Sequence, residues 1–180
     1  LKLDLHWLRD YAGSRAMFDS ASIGRLRAME NIIDETITET RSLSASLRPI
    51  GLEQLGLKSA IETMVAGFAA RTGLRARASV DGSAHVPTEH KLAVYRIVQE
   101  ALTNVARHSR ASEVEVLLGR VDSAVRVEVH DNGVGLGPAT DERARLGIVG
   151  MRERARAIGG RLDIDGGGDE GTSVVLEIPQ

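Results

Sequence analysis

The sequence contains no cysteine among its 180 residues. Disulfide bonds, thiolate nucleophiles and cysteine-ligated metals are therefore excluded, and the composition is compatible with a reducing compartment such as the cytoplasm. Aromatic residues are also scarce, with one Trp, two Tyr and two Phe scattered along the chain. Their spacing does not form the kind of platform on which nucleic-acid bases stack.

Neither sign of charge is in excess, because 23 Lys and Arg residues face 25 Asp and Glu residues and the formal net charge is −2. A global cationic field is missing, so nucleic acid is not a predicted partner. No apolar run approaches the roughly 18–20 residues that a membrane helix needs, and no signal segment begins the chain. We expect a cytoplasmic location for this portion and leave membrane anchoring of the intact protein open. Because the chain starts inside a helical pattern, we expect it to be part of a longer protein.

Residues 1–50 have the pattern of a helical hairpin. Leucines recur at helical spacing in residues 1–12, and apolar residues do so again in residues 23–47. Two antiparallel helices cannot easily bury such a seam alone, so the pattern predicts part of a dimerisation bundle that forms four helices with a second copy. The alternative is a helix that lies on its own domain. Pro49 predicts the end of the helix, and with it a domain boundary that makes residues 51–180 a second domain.

Residues 51–180 mix the two periodicities. Helical spacing covers residues 57–71, 87–108 and 147–158, and strand alternation covers residues 74–80, 113–118, 124–130, 161–165 and 172–178. Several strand connections are too short for crossover helices, which disfavours a doubly wound sheet. The predicted fold class is α+β, with a two-layer α/β sandwich. Residues 51–59 come close to a phosphate-binding P-loop, but Leu57 stands where the lysine should follow the second glycine, and we reject that interpretation.

Glu100 and Asn104 lie four residues apart on a predicted helix and therefore share one face. A carboxylate can accept a proton or order a water, and an amide oxygen is a hard, neutral ligand of the kind that Mg²⁺ takes. Arg107 and His108 follow one turn later, within reach of phosphate oxygens. Taken alone, the same pattern also describes an ordinary amphipathic helix with a solvated polar face.

Asp131 ends a predicted strand, where its carboxylate could accept a hydrogen bond from an exocyclic amine. Gly133 and Gly135 let the following backbone turn sharply and approach a ligand, although ordinary turns share this pattern. Gly147 and Gly150 are predicted to open a helix, which would leave free amides and the positive end of the helix dipole facing a polyphosphate.

These elements occur together in one order, and Gly171-Thr172 opens the final predicted strand. Their joint occurrence predicts a nucleotide pocket that is closed by a mobile loop, which no single element does alone.

The same residues resemble the motifs of sensor histidine kinases. Residues 99–108 (QEALTNVARH) resemble the N box of that family, residues 131–135 (DNGVG) its G1 box, residues 146–154 (LGIVGMRER) its G2 region and Gly171-Thr172 its closing G3 element. Leu47-Arg48-Pro49 together with Leu55-Gly56-Leu57 is similar to the join between helix bundle and ATP domain in the subclass of NarX- and DesK-type kinases. The resemblance covers nearly the whole chain.

The resemblance implies the Bergerat, or GHKL, fold with ATP and Mg²⁺ as cofactors. It assigns the adenine amine to Asp131, Mg²⁺ to Asn104 and the catalytic position beside the reacting phosphate to Glu100. The other nucleotide-binding residues that it implies are Arg107, His108, Gly133, Gly135, Gly147, Val149, Gly150 and Thr172, with residues 147–150 hinging a lid. It also implies transfer of the γ-phosphoryl group to a histidine on the bundle of a homodimer, followed by relay to an aspartate in the receiver domain of a response regulator.

The phosphoacceptor motif of this subclass, an acidic residue followed by Leu-His-Asp, has no match in the sequence. His6 lies in an Asp-Leu-His-Trp context with no acidic residue directly after it. We therefore expect this chain to bind ATP but to lack the acceptor histidine and not to phosphorylate itself. Two alternatives stay open at this point: a serine kinase of the anti-sigma type, which shares the pocket, and an ATP-responsive dimerisation module without transferase activity.

Overall fold

The computed structural model describes Met29 and residues 50–82, 84–135, 142–166 and 171–180. The chain divides into two compact units, Leu1–Ile50 and Gly51–Gln180. The helical hairpin predicted for residues 1–50 lies outside the described residues, apart from Met29, which is helical, and Ile50. None of the helices in the described segments is long and apolar enough to cross a membrane.

The second unit is built on one sheet of five strands. Along the chain the elements are α1 (Ile50–Thr72), β1 (Arg75–Val80), α2 (Thr88–Asn104), a π-helical turn (Val105–Ser109), β2 (Glu113–Val121), β3 (Ala124–Asp131), α3 (Glu142–Ala157), β4 (Arg161–Asp165) and β5 (Thr172–Pro179). The strand order is β1-β2-β3-β5-β4. Strands β1 and β2 are parallel, with α2 in the connection between them, and every other pair is antiparallel.

The two faces of the sheet differ because side chains alternate along each strand. One face is apolar and buried, and it carries Val114, Val116, Leu118, Val125, Val127, Val129, Val174, Leu176 and Ile178. Helix residues such as Ile61, Ile97 and Met151 belong to the same core. The other face carries charges, as where Arg126 lies 3.3 Å from a Glu128 carboxylate oxygen and 3.7 Å from one of Glu177. The prediction of a two-layer α/β sandwich is confirmed.

Helix α1 is broken at Gly56, whose φ of 79° and ψ of 173° are not helical. The continuous part that follows corresponds to the helix predicted from Leu57 onward, and it buries Leu57, Ile61, Val65 and Phe68 at helical spacing. Gly73 then has a φ of 75°, and its amide donates to the Ala69 carbonyl at 2.9 Å. This left-handed glycine ends the helix, as expected of a residue that tolerates positive φ.

Helix α3 begins at Glu142, five residues before Gly147. The prediction that Gly147 and Gly150 open this helix is therefore wrong. Residues 142–146 are Glu-Arg-Ala-Arg-Leu, all strong helix formers, whereas each interior glycine costs only about 1 kcal/mol relative to alanine. The favourable residues start the helix, and both glycine amides lie inside it, where an amide donates to the carbonyl four residues earlier.

Candidate functional site

Asp131 is a buried carboxylate at the end of the central strand β3. Asp131 is only 3% exposed, and its Oδ1 accepts a hydrogen bond from the Gly133 amide at 2.8 Å. The sheet register sets it between Val114 of β2 and Thr172 of β5. Burying a polar group without hydrogen-bond partners is costly. The bond from the Gly133 amide offsets part of that cost and holds the carboxylate in place.

Two glycines make room for the backbone around Asp131. A Cβ added at Gly133 would stand 2.7 Å from Asp131 Oδ1 and would overlap with the Ser109 carbonyl oxygen. A Cβ added at Gly171 would overlap with the carbonyl oxygen of Asp131, and Gly171 has a φ of 79°. The structure therefore brings Gly133 and Gly171-Thr172 to Asp131. Gly135 has a φ of 73°, a conformation that favours glycine.

Ser109 is a residue of this site that sequence reasoning missed. Its hydroxyl donates to the Val105 carbonyl at 2.8 Å and accepts from the Ala111 amide at 3.0 Å. Its carbonyl accepts from the Val134 amide at 2.8 Å. Ser109 thus links the end of the α2 helical segment to the loop after Asp131. Serine often hydrogen-bonds to nearby backbone groups, so the sequence could have indicated the local bonds of Ser109. The sequence contains no signal for its bond to Val134.

Asn132 is a second residue that the sequence did not single out. Its Oδ1 accepts from the amides of Ser112 and Glu113, each at 2.9 Å, and its Nδ2 donates to Ser112 Oγ at 3.0 Å. These bonds fasten the loop after β3 to the first residues of β2. Asparagine at this position therefore stabilises the loop that carries Gly133 rather than facing a ligand through its own Oδ1.

Glu100 and Asn104 lie on α2 as predicted, four residues apart. The α-helix ends at Asn104 and continues as a π-helical turn over Val105–Ser109, where a regular helix to His108 was expected. π-Helical turns widen the helix by one residue and occur often at functional sites. Arg107 and His108 are exposed on this turn.

Helix α3 packs Gly147 against α2. A Cβ added at Gly147 would overlap with Glu100 Oε1, so the glycine backbone lies directly against that carboxylate. A Cβ added at Gly150 would stand 3.1 Å from Arg154 Nη1 on the next turn of the same helix. Val149 lies between the two glycines and is 51% exposed. Of the three predicted lid residues, Gly147 is the one that the structure brings to Glu100.

Arg96 lies one turn before Glu100 on α2. Partial burial lowers the pKa of its guanidinium, the neighbouring Tyr95 raises that pKa, and the charge of Arg154 lowers it further. Arg96 Nη1 also donates to Gln99 Oε1 at 2.6 Å. The charge of Arg154 on α3 therefore acts on Arg96 of α2.

Among the described residues, no group of three or more His, Asp or Glu side chains could hold a metal ion by itself. A cation at Asn104 would need phosphate oxygens and waters for its other ligands, and Mg²⁺ commonly binds in this way. The amide of Asn104 thus fits a magnesium ion that arrives with a nucleotide.

Comparison with known proteins gives consistent results. Residues 89–180 match the family model described as histidine kinase-, DNA gyrase B-, and HSP90-like ATPase. The chain is 34% identical over 161 residues to the sensor histidine kinase LiaS of Bacillus subtilis, covering 89% of this chain and 44% of that protein. It is 35% identical over 159 residues to the oxygen sensor histidine kinase NreB of Staphylococcus carnosus, covering 87% of this chain and 46% of that protein.

A solved structure of a histidine kinase domain is also similar to this chain. The histidine kinase domain of a blue-light activated histidine kinase from Erythrobacter litoralis superposes with a TM-score of 0.60 at 26% identity, over 68% of this chain and 60% of that one. The chain spans less than half the length of the two curated relatives above.

Proposed function

Because the chain belongs to the family of histidine kinase-, DNA gyrase B- and HSP90-like ATPases, we propose that residues 51–180 bind ATP with Mg²⁺ and donate its γ-phosphoryl group to a protein histidine. The observation that carries this proposal is the carboxylate of Asp131, 3% exposed, at the end of a sheet where Gly133 and Gly171 leave no room for side chains of their own. Such a buried acceptor suits a planar ligand that brings its own hydrogen-bond donor.

Asp131 is the residue that we assign to the adenine amine. The Gly133 amide holds Oδ1 at 2.8 Å, and we assign the second oxygen, Oδ2, to the exocyclic amine of the base. A hydrogen bond to an ionised acceptor in a buried site is roughly twice as strong as a neutral one. Gly133 and Gly135 keep the backbone close, and Thr172 lies beside Asp131 in the register of β3 and β5.

Asn104 and Glu100 form the phosphate side of the proposed pocket. We assign the Asn104 amide oxygen to Mg²⁺, whose other ligands would be phosphate oxygens and waters. ATP supplies the phosphoryl group, and phosphoryl transfer depends mainly on positioning and charge neutralisation. Glu100 would take or order the proton at the reacting centre. Arg107 and His108, exposed after Asn104, are assigned to phosphate oxygens.

Gly147, Val149 and Gly150 form the proposed hinge of a lid. Interior glycines weaken a helix by about 1 kcal/mol each, so the first turns of α3 are its weakest part. If these turns unwind, the amides of Gly147 and Gly150 become free to meet phosphate oxygens. The contact between Gly147 and Glu100 would then separate when a nucleotide is bound, which makes the lid a conformational switch between helix and loop.

The partners of the whole protein are proposals as well. We assign residues 1–50 to part of a homodimer's helix bundle, the acceptor to a histidine that this sequence does not contain, and the next step to the receiver domain of a response regulator. The relatives' names support this, since both are sensor histidine kinases. A cytoplasmic location of residues 51–180 follows from ATP and such a partner.

Calorimetric titration with ATP and Mg²⁺ tests the nucleotide assignment. Asp131→Asn replaces the carboxylate with a neutral amide and should weaken binding by about 10- to 100-fold, since a hydrogen bond to a charged group contributes about 1.5–3 kcal/mol. Asp165→Asn is the matched control, because Asp165 is also a strand-end aspartate but is exposed. If Asp131→Asn binds ATP as tightly as the parent chain, the adenine assignment is wrong.

Phosphoryl transfer is tested separately from binding. The chain is incubated with radiolabelled ATP, Mg²⁺ and a helical segment that carries the acceptor motif of the subclass, an acidic residue followed by Leu-His-Asp, and label on that segment is tested for acid lability. We expect acid-labile label that Glu100→Gln reduces by about 100-fold or more, the range of general acid or base catalysis. Binding without transfer would instead favour the ATP-responsive dimerisation module, and label on a serine would favour the anti-sigma type of kinase.

A further inference from the structure

We propose that Ser109 is a positioning residue that sets the adenine side of the pocket relative to its magnesium side. This inference rests on the proposed function, in which Asp131 takes the base and Asn104 takes Mg²⁺. Packing of α2 on the sheet sets the coarse placement of the two residues. Ser109 adds direct hydrogen bonds to the segments that carry both.

On the magnesium side, Ser109 closes the π-helical turn that follows Asn104. Its hydroxyl donates to the carbonyl of Val105 at 2.8 Å, and Val105 is the next residue after Asn104. The same hydroxyl accepts from the Ala111 amide at 3.0 Å. Arg110, which lies between Ser109 and Ala111, has a φ of 53°, so the chain changes direction immediately after Ser109. The single hydroxyl thus holds the end of the helix and the start of the next connection together.

On the adenine side, the backbone of Ser109 meets the loop after β3. Its carbonyl accepts from the Val134 amide at 2.8 Å, and a Cβ added at Gly133 would stand 2.7 Å from the Cβ of Ser109. Gly133 is the residue whose amide holds Asp131 Oδ1. A shift of Ser109 would therefore reach Asp131 through a single intervening residue.

Burial protects the hydrogen bonds of Ser109 from competition by water. Ser109 is one of two buried polar or charged residues among those described, and it is 4% exposed. A hydroxyl in such a place cannot exchange its partners for bulk water, so both bonds persist in the folded chain. Preorganising two parts of a site in this way raises the affinity of a ligand that needs both, because less ordering is left for the binding step.

The chain provides an internal comparison that separates this role from helix capping alone. At the end of α1, the Thr72 hydroxyl donates to the Phe68 carbonyl at 2.9 Å and accepts from the Leu74 amide at 3.3 Å. These are the same two bonds, four residues back and two residues forward, that the Ser109 hydroxyl makes. The described hydrogen bonds of the Thr72 hydroxyl stay within residues 68–74 and do not reach the loop after Asp131. Thr72 is exposed whereas Ser109 is buried, so the two changes can differ in their effect on stability. A purely local role for Ser109 predicts that neither change affects one ligand more than the other.

The test compares Ser109→Ala with Thr72→Ala by titration with two probes, adenosine and ATP with Mg²⁺. Adenosine uses the adenine side alone, whereas ATP with Mg²⁺ needs both sides in register. We expect Ser109→Ala to weaken binding of ATP with Mg²⁺ by about tenfold, the upper range for one hydrogen bond, and adenosine binding by less than about twofold. Thr72→Ala should leave both affinities at the parent values. Urea unfolding of both variants shows whether their stabilities are comparable.

A second pair of variants tests the carbonyl bond without removing the hydroxyl. Val134→Pro removes the amide that donates to Ser109, and Val134→Ala keeps it and serves as its reference. We expect Val134→Pro to reproduce the selective loss for ATP with Mg²⁺, so the inference stays testable if Ser109→Ala does not fold. Equal losses for adenosine and ATP, or a loss in Thr72→Ala of the same size, would overturn the role of Ser109. If the parent chain binds no ATP with Mg²⁺, the proposed function itself fails; if the parent binds and Ser109→Ala is unchanged, only this inference fails.

Discussion

Gly147 on α3 lies directly against the carboxylate of Glu100 on α2, so close that a Cβ at position 147 would overlap with Glu100 Oε1. The contact joins the two residues that the proposed function treats as lid and catalytic carboxylate. It also explains why a glycine is tolerated inside a helix, where it costs about 1 kcal/mol relative to alanine.

Gly147→Ala should therefore give none of the stability that alanine ordinarily adds to a helix, and it should displace Glu100. We expect phosphoryl transfer to fall by about tenfold or more, because a small misplacement of a catalytic group costs much of its effect. Gly67→Ala in α1 is the control, since its Cβ would meet only the end of the Arg71 side chain, at 3.2 Å. Urea unfolding should show a gain of up to about 1 kcal/mol for the control alone. An equal gain at both positions would contradict the contact.

Gly171→Ala should be among the most destabilising single changes in the sheet. The residue has a φ of 79°, and a Cβ there would overlap with the Asp131 carbonyl oxygen. The left-handed conformation alone costs about 1–2 kcal/mol for an L residue, and the overlap adds to that cost. Gly73→Ala is the control because Gly73 has a φ of 75° with nothing within 4 Å of its added Cβ. Chemical denaturation that gives the same loss for both variants would argue against the close approach at Asp131.

Asn132→Ala should lower the free energy of unfolding by about 1 kcal/mol or more, since the amides of Ser112 and Glu113 both lose their acceptor. Asn132→Asp is the matched variant: it keeps an oxygen at Oδ1, replaces the donation from Nδ2 to Ser112 Oγ with a second carboxylate oxygen and adds a negative charge. We expect it to retain most of the stability in urea unfolding. A loss in Asn132→Asp as large as in Asn132→Ala would show that the two amide bonds are not the main contribution.

Arg154→Gln should slightly stabilise the chain at low ionic strength. Burial is the main cause that lowers the pKa of the Arg96 guanidinium, and the positive charge of Arg154, which this change removes, lowers that pKa further. The gain should shrink in 1 M NaCl, where the Debye length falls to about 3 Å from about 10 Å at 0.1 M. Arg152→Gln, an exposed arginine on the same helix, is the control. Thermal unfolding at the two salt concentrations measures the effect. A salt-independent difference would mean that charge repulsion between α2 and α3 is not its cause.

Much of the fold could be predicted because its signals are local. Alternation identified all five strands, from Arg75–Val80 to Thr172–Pro179, since residues that line one buried face repeat every second position. The resemblance to sensor histidine kinases is confirmed by the family match over residues 89–180 and by the named relatives. The roles of the individual site residues, the homodimer and the response regulator stay predictions.

The errors and omissions have two physical origins. The predicted start of α3 at Gly147 is wrong because the helix-forming residues before the glycines extend the helix to Glu142. The role of Ser109 was missed because it depends on a hydrogen bond with Val134, twenty-five positions later in the chain. No window of sequence around Ser109 contains that information.

The sequence by itself determined which chemistry this protein can attempt. Its motifs supply a carboxylate at a strand end, an amide one helical turn after a second carboxylate, and glycines where the backbone must come close; its missing cysteines exclude thiolate chemistry. Only the tertiary structure decided that Gly171 and Gly133 enclose Asp131 and that Gly147 covers Glu100. Residue types and spacing follow from local geometry, whereas the approach of one backbone to another follows from how the sheet and helices pack.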